Sequence, residues 1–174
     1  MRRFVPIALA ALLTIGFVSP VAAVKPDKFP NEPIEQTFEG SCDFDVFLED
    51  TFAAGSVKFF APKTDGSSRF QANGGFRSTL WREDPHIEID VSFFGRLFFD
   101  VHGDGTMTMK QTGEALTWFT DPADAGMWGL DPGIYIISGR VDVLMDENFI
   151  TLAPVDMSRV TVRDLCAELS TPDA

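Results

Sequence analysis

Cations are scarce in this sequence. Lysine and arginine together number 14 against 26 aspartates and glutamates, a formal net charge of -12, and there are only two histidines, two cysteines and one tyrosine. Each shortage closes off a class of function. Nucleic-acid binding draws its affinity from lysine and arginine on phosphates, and a chain this acidic has few to offer. The same shortage counts against simple adsorption to an anionic membrane. A closed zinc site takes about four ligands, more than two cysteines supply. The H-E-x-x-H spacing of zinc proteases and the G-x-S-x-G nucleophile elbow are both missing. No catalytic residue, metal ligand or cofactor is therefore assigned. Long apolar runs are lacking too: past residue 23, no stretch approaches the roughly 20 residues that span a bilayer.

The beginning of the chain has a distinct layout. Arg2 and Arg3 precede an uncharged apolar run from Phe4 to Val18, and Val21-Ala22-Ala23 supplies small residues at a cleavage position. This is the pattern of a secretory signal peptide over residues 1–23, with an uncleaved anchor as the alternative. The arginine pair lacks the rest of a twin-arginine motif, and no cysteine closely follows the apolar run. The general secretory route is expected, and a secreted location, extracellular or cell-wall associated. Loss of Arg2 and Arg3 would take the net charge from -12 to -14, which favours solubility.

Export gives the cysteines a meaning. Disulfides persist outside the cytosol, and Cys42 and Cys166 allow a single intramolecular pairing. Their bridge would close most of the exported domain and stabilise it by roughly 2–4 kcal/mol. An intermolecular bridge or free thiols are the alternatives.

Residues 24–37 hold three prolines and mixed charge, and read as a disordered leader. From 38 to 170 the period is two, the signature of strands. Turn clusters fall at 62–68 ("PKTDGSS"), 83–85 ("EDP") and 102–105 ("HGDG"), and residues 120–133 read as a long loop. "IYIISGRVDVLM" and "FITLAPV" read as a last hairpin. Thr161 with Asp164 suggests a capping box for a short helical turn around Leu165, Cys166 and Leu169, followed by a tail at 171–174. The fold class is all-β: an antiparallel barrel or sandwich of about 8–10 strands with a short C-terminal helical turn.

The densest aromatic stretch is "VSFFGRLFF", Val91 to Phe99. Alternation from Ile87 gives an odd face with no polar side chain through Val101, so one strand bending at Gly95 is expected. Phe94 and Phe98 fall on the other face. They line a cavity, fill a second core, or stand exposed.

The order "IEIDVS", "GDGTMTMKQTG", "PGIYIISGRVDV" and "DLCAEL", with one cysteine in the first strand, resembles a family of small secreted actinobacterial proteins of uncharacterised function. The resemblance covers residues 40–170 and is most specific at "SGRV" (138–141) and "DLCAEL" (164–169). It implies a secreted domain with paired cysteines and carries over no catalytic residue. Phe93-Phe94 departs from the small residues expected before Gly95.

Weaker chemistry is present. His86 with Glu88, and His102 between Asp100 and Asp104, are possible acid–base groups at strand ends. Glu88, Asp90 and Asp100 share one face, as a glycosidase pair would. Asp121, Asp124 and Asp131 offer oxygens in the long loop but without EF-hand spacing. Trp81 and Trp118 are expected in the core. Three readings follow. The first is a non-enzymatic barrel holding an apolar small molecule, lined by Phe94, Phe98, Met107 and Met109. The second is an interaction module with a solid core, using Phe93, Phe94 and Trp128 against a protein partner. An enzyme is the third.

Overall fold

The structure is a computed structural model and describes residues 27–171. The signal-peptide reading of residues 1–23 and all but the first residue of the tail lie outside that range. Eight antiparallel strands form one open sheet: β1 (Asp27–Pro30), β2 (Glu35–Phe38), β3 (Val46–Phe59), β4 (Ser68–Arg82), β5 (Ile87–Val101), β6 (Met107–Phe119), β7 (Gly133–Met145) and β8 (Val160–Asp164). Their order is β1-β3-β4-β5-β6-β7-β8, with β2 also on β3. Two short helices accompany them, α1 (Pro122–Met127) and α2 (Leu165–Ser170). The all-β class with a terminal helical turn is thus the observed one.

Four strands are 13 to 15 residues long and β3 has 14. Strands of this length stay together here because a row of glycines crosses them. Gly55 pairs with Gly74, Gly74 with Gly95, Gly95 with Gly113, and Gly113 with Gly139. Gly74 shows why no other residue serves. Its φ is +150°, and a Cβ there would lie 2.0 Å from the Ala54 carbonyl oxygen. Along the row the sheet changes character. On one side β5 and β6 pair from Gly95 to Val101; on the other they part, while β4–β5 and β6–β7 continue. Two layers result on the parted side, β2–β3–β4–β5 and β6–β7–β8. The stretch expected to form one strand does so, from Ile87 to Val101, and Gly95 is where β6 leaves it.

Two cores sit on either side of this row. Phe38, Val46, Leu48, Leu80, Ile87, Val91, Ile134 and Ile136 pack with Leu165 and Leu169 of α2 between the parted layers. Phe99, Met107, Met109, Val141, Val143 and Met145 form the second core, where Phe119, Trp128, Tyr135 and Ile137 join them. Strand β7 serves both: Tyr135 and Ile137 face one core, Ile134 and Ile136 the other. Fully burying each aliphatic side chain contributes about 1.5–3 kcal/mol. The bridge Cys42–Cys166 ties the entry of β3 to α2, across 124 residues.

Four expectations are corrected. Residues 27–37 of the expected leader are not disordered, because β1 and β2 pair with β3. The buried Asp50 anchors their connection: its carboxylate accepts from the Ile34 amide at 3.2 Å and from Ser78 Oγ. Pro30 is tolerated because β1 is an edge strand. The long loop contains α1, whose Asp121 caps it by accepting from the Ala123 amide at 2.8 Å. Residues 149–155 turn back at Asp146 but form no strand: they meet the end of β7 at the bridge Met145–Thr151, where the Leu152 amide donates to the Leu144 carbonyl at 2.9 Å, and the strand that follows β7 and pairs with it is β8. The cap of α2 is Asp164, not Thr161, which lies within β8. The cap sits at the junction where the strand ends, a position the T-x-x-D spacing places three residues early.

The glycine row makes a sharp prediction. Gly74→Ala should lower stability by about 3 kcal/mol or more, through strain and a backbone clash. Gly66→Ala, at φ +82° with nothing within 4 Å, should lose only about 1–2 kcal/mol. Urea unfolding of the two variants measures the difference; equal losses would remove the row's structural role.

Candidate functional site

The face of β3–β5 turned away from both cores is uncovered by any described element. Its residues come from odd positions of β4 and even positions of β5, as the pairings Arg77–Ser92, Gly75–Phe94, Asn73–Arg96 and Gln71–Phe98 require. Phe94 stands at its centre and is 70% exposed. Nothing larger than a hydrogen fits beneath the ring: a Cβ on Gly75 would lie 2.9 Å from Phe94 Cδ2. Phe52, also exposed, lies one strand beyond with the Arg77 guanidinium 5.6 Å from its ring centre. Half-buried Phe98 has Arg96 5.9 Å from its ring centre.

The aromatic stretch is thereby divided in two. Phe93 turns inward and stacks on Phe76 with ring centres 5.4 Å apart. Phe99 turns inward in a ladder that runs Phe29, Phe59, Phe70, Phe99 and Phe149, each ring within 6.3 Å of the next. Phe94 and Phe98 remain outside, on the open face.

Several candidates do not join this face. Met107 and Met109 are buried in the second core, where they touch packed side chains and line no opening. Trp128 is 2% exposed; its indole nitrogen donates to Thr151 Oγ1 at 3.0 Å and its ring packs on Phe119. The long loop folds back over the core and carries Trp128 down with it, so Trp128 is not a surface contact residue. Phe93 is likewise no contact residue, for it packs against the first core. Trp118, expected in the core, is 41% exposed, against Phe38. Among the described residues the best-formed hollows are shallow. One, of about 200 Å³, is lined by Lys63, Arg69, Asp100, His102, Thr108 and Lys110. The other, of about 230 Å³, lies among Phe44, Phe47, Arg82 and Glu83. Both carry charged side chains in their lining.

The polar candidates have structural duties. Asp100 accepts from Arg69 Nε at 2.5 Å and from Lys110 Nζ at 3.3 Å. The Arg69 hydrogen bond holds the Asp100 carboxyl below the ordinary aspartate range, opposed by partial burial and helped by Lys110. His102 Nε2 lies 2.9 Å from Thr108 Oγ1, and His86 lies 3.5 Å from Glu88 at the exposed end of β5. Asp90 accepts from Thr79 Oγ1 at 2.8 Å. Asp124 accepts from the Thr151 amide at 3.0 Å, and the Asp131 carbonyl from the Tyr135 hydroxyl at 3.0 Å. Among the described residues no group of three histidine, cysteine or acidic side chains is gathered as metal ligands. What the sequence did not disclose is the arrangement of cations. Lys58, Arg69, Arg96, Lys110 and Arg140 all stand on the outer face on one side of the glycine row, as the pairings Lys58–Gln71, Arg69–Asp100, Phe98–Lys110 and Thr112–Arg140 place them. Successive members stand 11, 27, 14 and 30 residues apart along the chain, on separate strands, so no local pattern announces the gathering.

Two outcomes test these assignments. Met109→Ala should lose about 2–4 kcal/mol as a core truncation, and Phe94→Ala should stay within about 0.5 kcal/mol of the parent; thermal and urea unfolding read both. Asp100→Asn should cost about 1 kcal/mol or less at neutral pH. A carboxyl lowered on folding stabilises above its unfolded pKa, near about 4, and that contribution is lost as pH falls through the folded value. The gap between parent and Asp100→Asn should therefore close as the pH falls below the ordinary aspartate range; a gap that widens in acid would refute the ion-pair assignment.

Comparison of the chain with protein-family models, with curated proteins and with solved structures returns no match.

Proposed function

We propose that this chain is an exported, non-enzymatic interaction module that engages a macromolecular partner through the outer face of β3–β5. The observation that carries the reading is Phe94, 70% exposed at the centre of an uncovered face. A large apolar ring left in water at the middle of a sheet is the feature a contact surface needs. The interior supports the same reading. A pocket for an apolar molecule requires an apolar opening, and the methionines that would line it are packed against neighbouring side chains. The Cys42–Cys166 bridge supports export, because such bonds persist outside the cytosol. It accords with the signal-peptide pattern and with the resemblance to small secreted actinobacterial proteins. Among the described residues no helix is long and apolar enough to cross a membrane.

A photo-crosslinking phenylalanine analogue tests the reading directly. Placed at position 94 in the exporting cell, it should yield a covalent adduct with a macromolecule. Placed at the exposed Asp156, on the segment beside the second core, it should not. Absence of any adduct at 94 would overturn the proposal. So would a native mass spectrum showing a small molecule that departs on denaturation.

A further inference from the structure

The charges on this face are sorted. On one side of the Ala54–Gly75–Phe94 row stand the exposed carboxylates Glu49, Glu88 and Asp90, with Arg77 over Phe52 as their cation. On the other side stand Lys58, Arg69 and Arg96 on β3–β5, continued by Lys110 on β6 and Arg140 on β7, against two carboxylates, Asp100 and Asp142, each already within reach of a cation. In a chain with 14 cations and 26 acids, five cations on half of one face are a marked concentration. A face with an acidic half, a basic half and an aromatic centre is complementary to itself.

We propose that the partner of this face is a second copy of the same chain, in a two-fold dimer whose axis lies in the interface along the Ala54–Gly75–Phe94 row. This rests on reading the face as an interaction surface. Symmetry selects the axis. A two-fold parallel to the strands would lay each half on its like, acid on acid. A two-fold along the row reverses each strand over its own copy, so a position before the row meets the one equally far beyond it. Phe94 then meets Phe94. Lys58 comes opposite Glu49, because the register shift between Asp50 and Phe52 adds one residue to that side of β3; Arg69 comes opposite Trp81 (a cation on an indole face), and Arg96 falls one step from Asp90. Asp100 is the carboxylate that lands opposite Glu88, and Arg69 and Lys110 already hold it. The area suffices. Three strands of this length cover on the order of 700 Å², close to the roughly 800 Å² per partner of a stable interface.

Sedimentation velocity and light scattering on the full exported chain, from low to high micromolar, provide the test. The mass should rise to that of two chains. Phe94→Asp should weaken association at least about tenfold, as loss of a central anchor does. Lys58→Glu and Glu49→Lys should each weaken it about tenfold by setting like charges opposite one another. The double variant Lys58→Glu/Glu49→Lys should return to within about threefold of the parent, since the pair is restored with its signs exchanged. Unchanged urea midpoints show that each variant is folded. A single-chain mass at every concentration, or a double variant no tighter than the singles, would overturn the dimer. A monomer that still gives an adduct at position 94 in the exporting cell would overturn self-association and leave the interaction surface standing. A monomer with no adduct would overturn both.

Discussion

Every larger feature of this fold depends on five glycines meeting in register across β3 to β7. A side chain at Gly74 or Gly55 would drive into the carbonyl of the next strand, 2.0 or 2.1 Å away. With glycine there, the backbone takes conformations closed to other residues, and neighbouring strands approach closely without breaking their ladders. Because β5 and β6 separate at this row, one sheet supplies two layers and two cores. Strand β7 can then bury both faces over its first half, which a single-layered sheet exposed to water on one side does not permit.

The parted layers leave an edge that must be sealed, and α2 seals it. Asp164 ends β8 and caps the helix, accepting from the Ala167 amide at 3.0 Å. Leu165 and Leu169 then enter the first core while Cys166 bonds to Cys42. Arg163 and Glu168 pair across the cap at 2.7 Å, which holds the Glu168 carboxyl below its ordinary range. The bridge therefore works locally as well as over its 124-residue loop. It pins the helix that closes the gap between layers.

The same division organises the outside. Strands β3–β5 run through the row, so their outer face is continuous while the inner face serves two cores. Lys58, Arg69 and Arg96 gather on one half of this face, Arg77 alone stands on the other, and Phe94 is at its middle. A strongly acidic chain thus carries a basic surface, and its net charge, which speaks for solubility, says little about local contacts. Charges beyond about 8 Å are largely screened at physiological salt, so partners at close range meet the patch rather than the total.

Much of the framework was legible along the chain. Period-two alternation, Asp-Gly and Gly-Asp-Gly turns, a glycine interrupting an aromatic strand, and two cysteines with one possible partner each determine their local structure through near neighbours. The burial of Phe93 and Phe99 and the outward turn of Phe94 and Phe98 follow from alternation once a single strand is assumed. The rest depended on distant partners. Residues 24–37 read as a leader because two four-residue strands in a proline-containing segment have no signal of their own until β3 and Asp50 receive them. Trp128 sits in a loop whose return to Thr151 only the tertiary structure fixes. Met107 and Met109 occupied the right face for a pocket or a core, and only the facing side chains decided which. The cationic half-face is the clearest case: single charges on separate strands become a surface through register alone, which tertiary pairing sets.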